Sequence, residues 1–180
     1  MKTALLIIDV QNDYFPNGNC EIFQPELALK EVKRLLNFFR KKGLPVYFVQ
    51  HVSDKQASFF VPDSFGAEIH NEIRPMDGEK VFIKNRPSSF SNKELQLELI
   101  RNHIEKLVVC GMMTHMCVDT TVRAAKNFGY HVTLISDACT TKSLDWKGEK
   151  IPANVVQSVY MASLENAFAD IMTSKEFVEA

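Results

Sequence analysis

Three residues whose types could combine in catalysis, Asp9, Lys84 and Cys117, stand close to apolar runs of the chain. Asp9 directly follows the run ALLII, Lys84 directly follows the run VFI, and Cys117 comes shortly after the run LVVC. A cysteine can act as a nucleophile, a carboxylate can take its proton, and a lysine can hold the resulting anionic groups together. These residue types therefore indicate hydrolysis of an amide or imide bond.

Cys117 is predicted to lie in the first turn of a helix. Apolar residues recur at helical spacing from about Thr114 until Gly129, which provides a C-terminal stop. Unpaired N–H groups and the positive end of the helix dipole would lower the pKa of a thiol there. The backbone N–H groups of Met113 and Cys117 would also stabilise the oxyanion of acyl transfer, which makes them a predicted oxyanion hole. The alternative is that Cys117 is only a small core residue, as a free cysteine often is.

The elements that must position these residues alternate between strand and helix. Apolar runs predict strands over residues 4–8, 46–49, 81–83, 107–110, 131–136 and 168–172. Parallel neighbours need helical crossovers, so this alternation predicts a single domain, residues 1–180, with a three-layer α/β/α fold around a six-stranded parallel sheet. Ligands of such sheets bind beyond the carboxyl ends of the strands, the edge to which Asp9, Lys84 and Cys117 belong.

Local signals mark where helices begin. Pro25 and Pro152 suit first helical positions, and Ser91 with Glu94 three residues later is typical of a capping box. A further short helix is predicted over residues 67–73.

The bulk composition excludes several classes of function. The chain has 180 residues and 46% hydrophobic content, enough for one full core. Its net charge is −1 and its basic residues are scattered, so it lacks the basic stripe of a nucleic-acid-binding protein. Asp9 ends the first apolar run far short of a signal peptide or membrane span, which predicts a cytoplasmic protein with no membrane partner. The four cysteines contain no CxxC pair, and we expect free thiols.

Three separated motifs resemble the isochorismatase-like cysteine hydrolases of the isochorismatase and nicotinamidase superfamily. They read LLIIDVQNDY, VFIKNRPSSF and VVCGMMTHMCVDTTVRAA, and their order matches the family along nearly the whole chain. The resemblance implies an isochorismatase-like, Rossmann-like fold, a catalytic triad of Asp9, Lys84 and Cys117, no cofactor, and assembly into a homo-oligomer. It also implies a non-prolyl cis peptide between Met112 and Met113, which would aim the Met113 N–H at the oxyanion.

Two departures bear on the branch of the family. Nicotinamidases carry an Asp-x-His pair and a later histidine that bind a metal, whereas this chain reads VQHVSDKQASFF there, so we expect no metal site. Isochorismatases hydrolyse a vinyl ether and commonly lack the cysteine that is present here. The expected reaction is therefore cleavage of a C–N bond in a small amide, imide or carbamoyl substrate through a thioester. Isochorismatase and nicotinamidase-type activities remain the alternatives.

Aromatic side chains are predicted to wall the pocket for this small-molecule substrate. Phe15, Phe90 and His115 offer faces that suit a small planar or apolar molecule. His51 and Cys139 lie near the same edge and remain open as substrate contacts. A nucleotide or flavin site is disfavoured because no GxGxxG or GxxxxGK motif follows a strand. A binding module without activity is disfavoured by the intact set of three reactive residues.

Overall fold

Strands and helices alternate in the computed structural model, which describes residues 1–180. The strands are β1 (Thr3–Ile8), β2 (Val46–His51), β3 (Lys80–Lys84), β4 (Lys106–Met112), β5 (His131–Thr140), β6 (Leu144–Trp146), β7 (Glu149–Ile151) and β8 (Asp170–Met172). The helices are α1 (Pro25–Lys41), α2 (Lys93–Arg101), α3 (Asp119–Asn127), α4 (Ala153–Leu164) and α5 (Ser174–Glu179). None of these helices is long and apolar enough to cross a membrane.

Six parallel strands form the central sheet, in the order β3-β2-β1-β4-β5-β8. Successive strands move outward from β1 to β3, and the chain then returns to place β4 on the other side of β1. Strand order therefore reverses between β1 and β4, the point at which ligands of open α/β sheets bind. The predicted α/β fold with a six-stranded parallel sheet is confirmed.

The central strands are apolar because helices cover both faces of the sheet. Residues 4–8 of β1 and residues 107–110 of β4 are at most 1% exposed. The buried stripe of α1, which includes Val32, Leu35 and Phe39, belongs to the same hydrophobic cluster as these strands. This continuous core makes the carboxyl ends of the strands a rigid platform for the side chains that follow them.

The close approach of β1 and β4 fixes the residue at position 111. Gly111 is in register with Ile8 and has a φ of +127°. A Cβ atom added to Gly111 would lie 2.0 Å from the carbonyl oxygen of Ile8, so every other residue would clash with the backbone. The contact holds the end of β4 directly against the end of β1, where Asp9 follows.

The start of α2 differs from the prediction. The capping box predicted at Ser91 is wrong, because Ser91 ends a 3₁₀ turn (Ser89–Ser91) and Asn92 is the N-cap. The Asn92 Oδ1 accepts a hydrogen bond of 2.9 Å from the Glu94 N–H. An asparagine one residue further along the chain therefore does the capping that the serine was expected to do.

Short elements account for the remaining differences. The helix predicted over residues 67–73 is instead a pair of 3₁₀ turns, Phe65–Ala67 and Asn71–Ile73. The antiparallel β6–β7 hairpin and α5 were not predicted. A capping box between Thr173 and Glu176 was the sequence signal for α5.

Candidate active site

A buried cluster of polar side chains lies where the central strands end. The Lys84 Nζ lies 2.7 Å from Asp9 Oδ2, 3.0 Å from His51 Nδ1 and 3.3 Å from Cys117 Sγ. The side chains of Asp9 and Lys84 are completely buried, and Cys117 is 7% exposed. The structure thus brings the three sequence-predicted residues together and adds His51 to them.

Strand ends position the two charged members of the cluster. Lys84 is the last residue of β3, and the alternation of the strand buries it on the same face as Phe82. Asp9 follows β1 with a φ of +50°, in the left-handed region that aspartate tolerates better than most residues. Its N–H still donates to the carbonyl of Val49 in β2 (3.0 Å). Asp9 and Lys84 therefore meet across the end of β2, which lies between their strands.

His51 was expected near this edge only as a possible substrate contact, whereas in the structure it belongs to the cluster. It ends β2 in register with Lys84. The buried side-chain amide of Gln11 fixes its backbone, donating to the His51 carbonyl (2.8 Å) and accepting from the His51 N–H (2.8 Å). The His51 ring also lies 5.9 Å from the Phe60 ring. The Gln11 side chain thus bonds the backbone of His51 as a neighbouring strand would, and this holds His51 beside Lys84.

His51 is in its neutral form at neutral pH. Burial lowers the pKa of its imidazole, and the nearby Lys84 ammonium lowers it further, against a smaller opposing effect of Asp9. A neutral ring can accept a hydrogen bond from Lys84 at Nδ1. Each of the three N–H bonds of the ammonium then has one acceptor: Asp9, His51 and Cys117.

Cys117 lies in a turn wider than the α-helical turn predicted for it. Thr114–Val118 form a π-helix that leads into α3. The peptide bond between Met112 and Met113 is cis, as the family resemblance implied. The Met113 N–H donates no hydrogen bond within the protein, so it is free to bind a ligand atom.

The resting state of Cys117 is a thiol. Burial and the Asp9 carboxylate together raise the pKa of the Cys117 thiol to about 12, although the Lys84 ammonium acts in the opposite direction. The predicted helix start would instead have lowered the pKa of this thiol. The direction is reversed because the sulfur is almost completely buried beside a negative charge. At neutral pH, Cys117 therefore needs a base to remove its proton.

Asp9 has an oxygen atom available for that proton. Its Oδ2 is paired with Lys84, whereas its Oδ1 is buried and has no hydrogen-bond partner. A carboxylate oxygen of Asp9 lies within 4.8 Å of the Cys117 sulfur. Buried polar atoms without partners are rare and tend to mark functional sites.

The cluster also contains residue types that bind metal ions. Ligand atoms of Asp9, His51 and Cys117 all lie within 4.8 Å of one another. The Lys84 Nζ lies at hydrogen-bond distance from all three, so the ammonium takes the place that a cation would need. A metal ion would have to displace the lysine from this set of acceptors.

Two of the predicted pocket residues, Phe15 and His115, are wholly or partly buried. Phe15 is buried, and its ring packs against His70 with centroids 4.3 Å apart. His115 belongs to the same π-helix as Cys117, is half-buried and is hydrogen-bonded to Thr141. Their contact with substrate stays a prediction.

Phe90, the third predicted pocket residue, packs beside α3. Its ring packs against Phe128, with centroids 5.0 Å apart, at the far end of α3. Phe128 comes eleven residues after Cys117, a helical distance of roughly 16 Å. The residue before Phe90, Ser89, donates a 2.9 Å hydrogen bond to the Oγ1 of Thr121, which lies four residues after Cys117. Contact of Phe90 with substrate stays a prediction.

The cavity that adjoins the cluster is polar rather than aromatic. It has a volume of about 290 Å³ and is lined by His51, Ser53, Asp54, Ala57, Asn85 and Arg86. A neighbouring cavity of about 360 Å³ includes Lys84 and shares three of these residues. Both are built by the loops that follow β2 and β3, whose spatial relation the sequence alone did not reveal.

The chain is similar to known proteins along nearly its whole length. A family model described as the isochorismatase domain matches residues 3–176. The isochorismatase family protein YddQ of Bacillus subtilis is 43% identical over 180 residues, covering 99% of this chain and 100% of that protein. The solved structure of an isochorismatase from Pseudomonas putida matches with a TM-score of 0.93 and 33% identity, covering 97% of this chain and 89% of that one. The N-carbamoylsarcosine amidase of Arthrobacter is 28% identical over 198 residues, covering 99% of this chain and 70% of that protein.

Proposed function

Since the chain belongs to the isochorismatase family and is a hydrolase of that family, we propose that it cleaves a C–N bond of a small amide, imide or carbamoyl substrate through a thioester on Cys117. The observation that carries this proposal is the Lys84 ammonium, which lies within hydrogen-bond distance of both a buried carboxylate and a buried thiol. The similarity to an N-carbamoylsarcosine amidase supports the choice of a C–N bond.

The first step forms the covalent bond. Asp9 takes the proton of the Cys117 thiol at its unpartnered Oδ1 while the sulfur bonds to the substrate carbonyl carbon. The carbonyl electron pair moves onto oxygen, and the free Met113 N–H is available to stabilise that oxyanion. The raised pKa of Cys117 fits this order of events, because the thiol keeps its proton until a substrate is attacked.

The second and third steps release the two products. The carbon–nitrogen bond breaks as the proton on Asp9 passes to the leaving nitrogen, which leaves a thioester and an ionised Asp9. A water molecule then attacks the thioester and gives one proton to Asp9. Collapse of that intermediate releases the acid, and the proton returns from Asp9 to the Cys117 sulfur.

Lys84 stabilises the negative charge wherever it resides during these steps. Before attack the charge is on Asp9, and after deprotonation it passes to the sulfur and then to the substrate oxygen. The ammonium lies 2.7 Å from the carboxylate oxygen and 3.3 Å from the sulfur, so it is close to both without moving. Fixed charges in a buried site stabilise such transfers more than water would.

Acid quench during turnover tests the covalent step. A screen of small amides with ammonia release as the readout would supply a substrate. Intact-mass spectrometry after rapid quench should then detect an acyl adduct, and peptide mapping should assign it to Cys117. An adduct on Cys20 or Cys139, or turnover by Cys117→Ala near the wild-type rate, would contradict the proposal.

Isochorismatase activity is the second candidate, because the similar Pseudomonas putida structure is described as an isochorismatase. Hydrolysis of that vinyl ether needs protonation of a double bond and no thiol nucleophile. Cys117→Ala should therefore keep its rate on isochorismate if this second candidate is correct, and Asp9→Asn should lose it.

A metal-dependent amidase is a further alternative, since Asp9, His51 and Cys117 are suitable ligand types. We expect exhaustive dialysis against EDTA to leave amide turnover unchanged, because the Lys84 ammonium occupies the space among these ligands. Loss of turnover that zinc, iron or manganese restores would favour the metal-dependent reaction.

A further inference from the structure

We propose that Arg86 binds a carboxylate of the substrate, so that the enzyme selects small amides that carry a negative charge. The proposal rests on the proposed function, since it concerns the molecule whose C–N bond Cys117 attacks. Its structural basis is the 290 Å³ cavity that His51 and Arg86 both line.

The chain geometry directs Arg86 toward the catalytic cluster. Lys84 is the last residue of β3, and Arg86 lies two residues further on, exposed in the bend that residues 85–88 form. Pro87 follows and restricts the backbone conformations open to Arg86. Arg86 lines the cavity beside His51, which contacts Lys84 at 3.0 Å.

The guanidinium group of Arg86 is available for an anion. It takes part in none of the ion pairs of the structure, although carboxylates pair with Arg40, Arg101 and Arg123 elsewhere. A planar guanidinium offers two parallel N–H groups that match the two oxygens of a carboxylate. Asp54 supplies the single negative charge of the cavity lining, and Ala57 is its single apolar residue. An apolar substrate gains little from such walls.

The dimensions limit the ligand to a small molecule. Arg86 lines the same cavity as His51, and the His51 Nδ1 lies 3.0 Å from the Lys84 Nζ. That Nζ is in turn 3.3 Å from the Cys117 sulfur. A carboxylate bound by Arg86 would therefore lie only a few bonds from an amide carbon at Cys117. N-carbamoyl or N-acyl amino acids and monoamides of short dicarboxylic acids have this arrangement.

Calorimetric titration with a matched pair of ligands tests the proposal. N-carbamoylglycine carries a carboxylate, and N-carbamoylglycinamide replaces it with a neutral amide of the same size. In a Cys117→Ala background, which prevents turnover, we expect the acid to bind about ten-fold more tightly than the amide, since charge-assisted hydrogen bonds have that magnitude. The additional change Arg86→Gln should abolish the preference, and Arg86→Lys should keep part of it.

Arg74 offers a matched control for Arg86. It is also exposed, also precedes a proline and also makes no ion pair, but it lines neither cavity next to the cluster. Arg74→Gln should leave both affinities unchanged. Asp54→Asn should strengthen binding of the acid by about two-fold or three-fold, because it removes a like charge from the same cavity. Thermal melting of each variant reports whether it is folded.

Each outcome of the titration decides the proposal separately from the proposed hydrolysis. A preference that survives Arg86→Gln, equal affinity of the two ligands, or no detectable binding of the acid would overturn the role of Arg86. An Arg86-dependent preference in the Cys117→Ala titration, together with no ammonia release from either ligand by the protein that keeps Cys117, would support the anion site and contradict hydrolysis of these amides. Ammonia release from both ligands at equal rates, unaffected by Arg86→Gln, would leave the hydrolase and remove the anion site.

Discussion

Strand β3 begins and ends with a lysine that is paired with a carboxylate. The two ion pairs have nearly the same N–O distance but differ in how far they are buried. Lys80 Nζ lies 2.6 Å from Glu98, and Lys84 Nζ lies 2.7 Å from Asp9. The side chains are 52% and 10% exposed in the first pair but 0% in both members of the second. Lys80 and Glu98 also line a cavity, of about 440 Å³, which is larger than the one beside His51.

The comparison indicates that burial, and not the distance between charges, makes one end of the strand suitable for chemistry. Water screens the pair at Lys80, so its contribution to stability is small. The side chains of the pair at Lys84 are shielded from bulk solvent, so the charges of the ammonium and the carboxylate act strongly on each other and on the adjacent thiol. The larger cavity at the Lys80 end adjoins no cysteine.

The largest expected effect is at the nucleophile. Cys117→Ala should reduce amide hydrolysis by about 10³-fold or more and leave the fold intact, because it removes the atom that forms the thioester. Asp9→Asn should cause a loss of similar size. The double variant should be little worse than either single variant, since residues that act as a unit fail together. Steady-state rates with circular dichroism as a folding control would measure this, and additive losses would contradict a shared role.

The same substitution at the two ends of β3 tests the comparison directly. Lys84→Met leaves the Asp9 charge buried without a partner, which should lower the unfolding free energy by about 3 to 5 kcal/mol and abolish turnover. Lys80→Met should lower it by about 1 kcal/mol or less and leave turnover unchanged. Urea denaturation and activity assays measure both effects. If Lys84→Met and Lys80→Met lowered the unfolding free energy equally, burial would not be what distinguishes the two ion pairs.

A smaller effect is expected at His51, which accepts the third hydrogen bond of Lys84. His51→Leu should lower kcat by about ten-fold, because the ammonium loses an acceptor that holds it toward Cys117. His51→Asn should recover most of that loss, since the asparagine Oδ1 can take the place of the imidazole Nδ1. Equal activity of the leucine and asparagine variants would mean that this hydrogen bond does not matter.

The smallest effect concerns the pH dependence of thiol alkylation in the free enzyme. The pKa of Cys117 is raised to about 12, so its thiolate fraction should grow roughly ten-fold per pH unit between pH 7 and pH 10. The rate of iodoacetamide labelling at Cys117, followed by peptide mapping, should rise over this whole range without a plateau. A plateau near neutral pH would instead indicate a stable thiolate, as the helix start alone suggested.

The sequence predicted those parts of the molecule that local pattern decides. The strands ALLII and LVVC are apolar throughout, which is typical of strands buried on both faces of a parallel sheet, and they pair in parallel in the structure. Asp9 and Lys84 were assigned to one edge because polar residues at the ends of parallel strands share that edge. The motifs then linked them to Cys117.

Relations between distant loops were beyond this kind of prediction. Phe90 was chosen for the pocket by residue type alone, and the sequence did not predict that its ring packs against Phe128, the residue after α3. His51 enters the cluster because Gln11, forty residues away in sequence, fixes its backbone. The pKa of Cys117 depends on burial, which the helix-start argument could not include.

The crowded crossing at Gly111 has a consequence for how freely this sequence can vary. The contact with the Ile8 carbonyl leaves no volume for a methyl group, so random mutation followed by selection for the folded protein should return glycine at this position even when the substrate is unknown. Exposed Met116, five residues later, should accept many replacements. Positions that tolerate no substitution would thus reveal the contact between β1 and β4, beside Asp9, from genetic data alone.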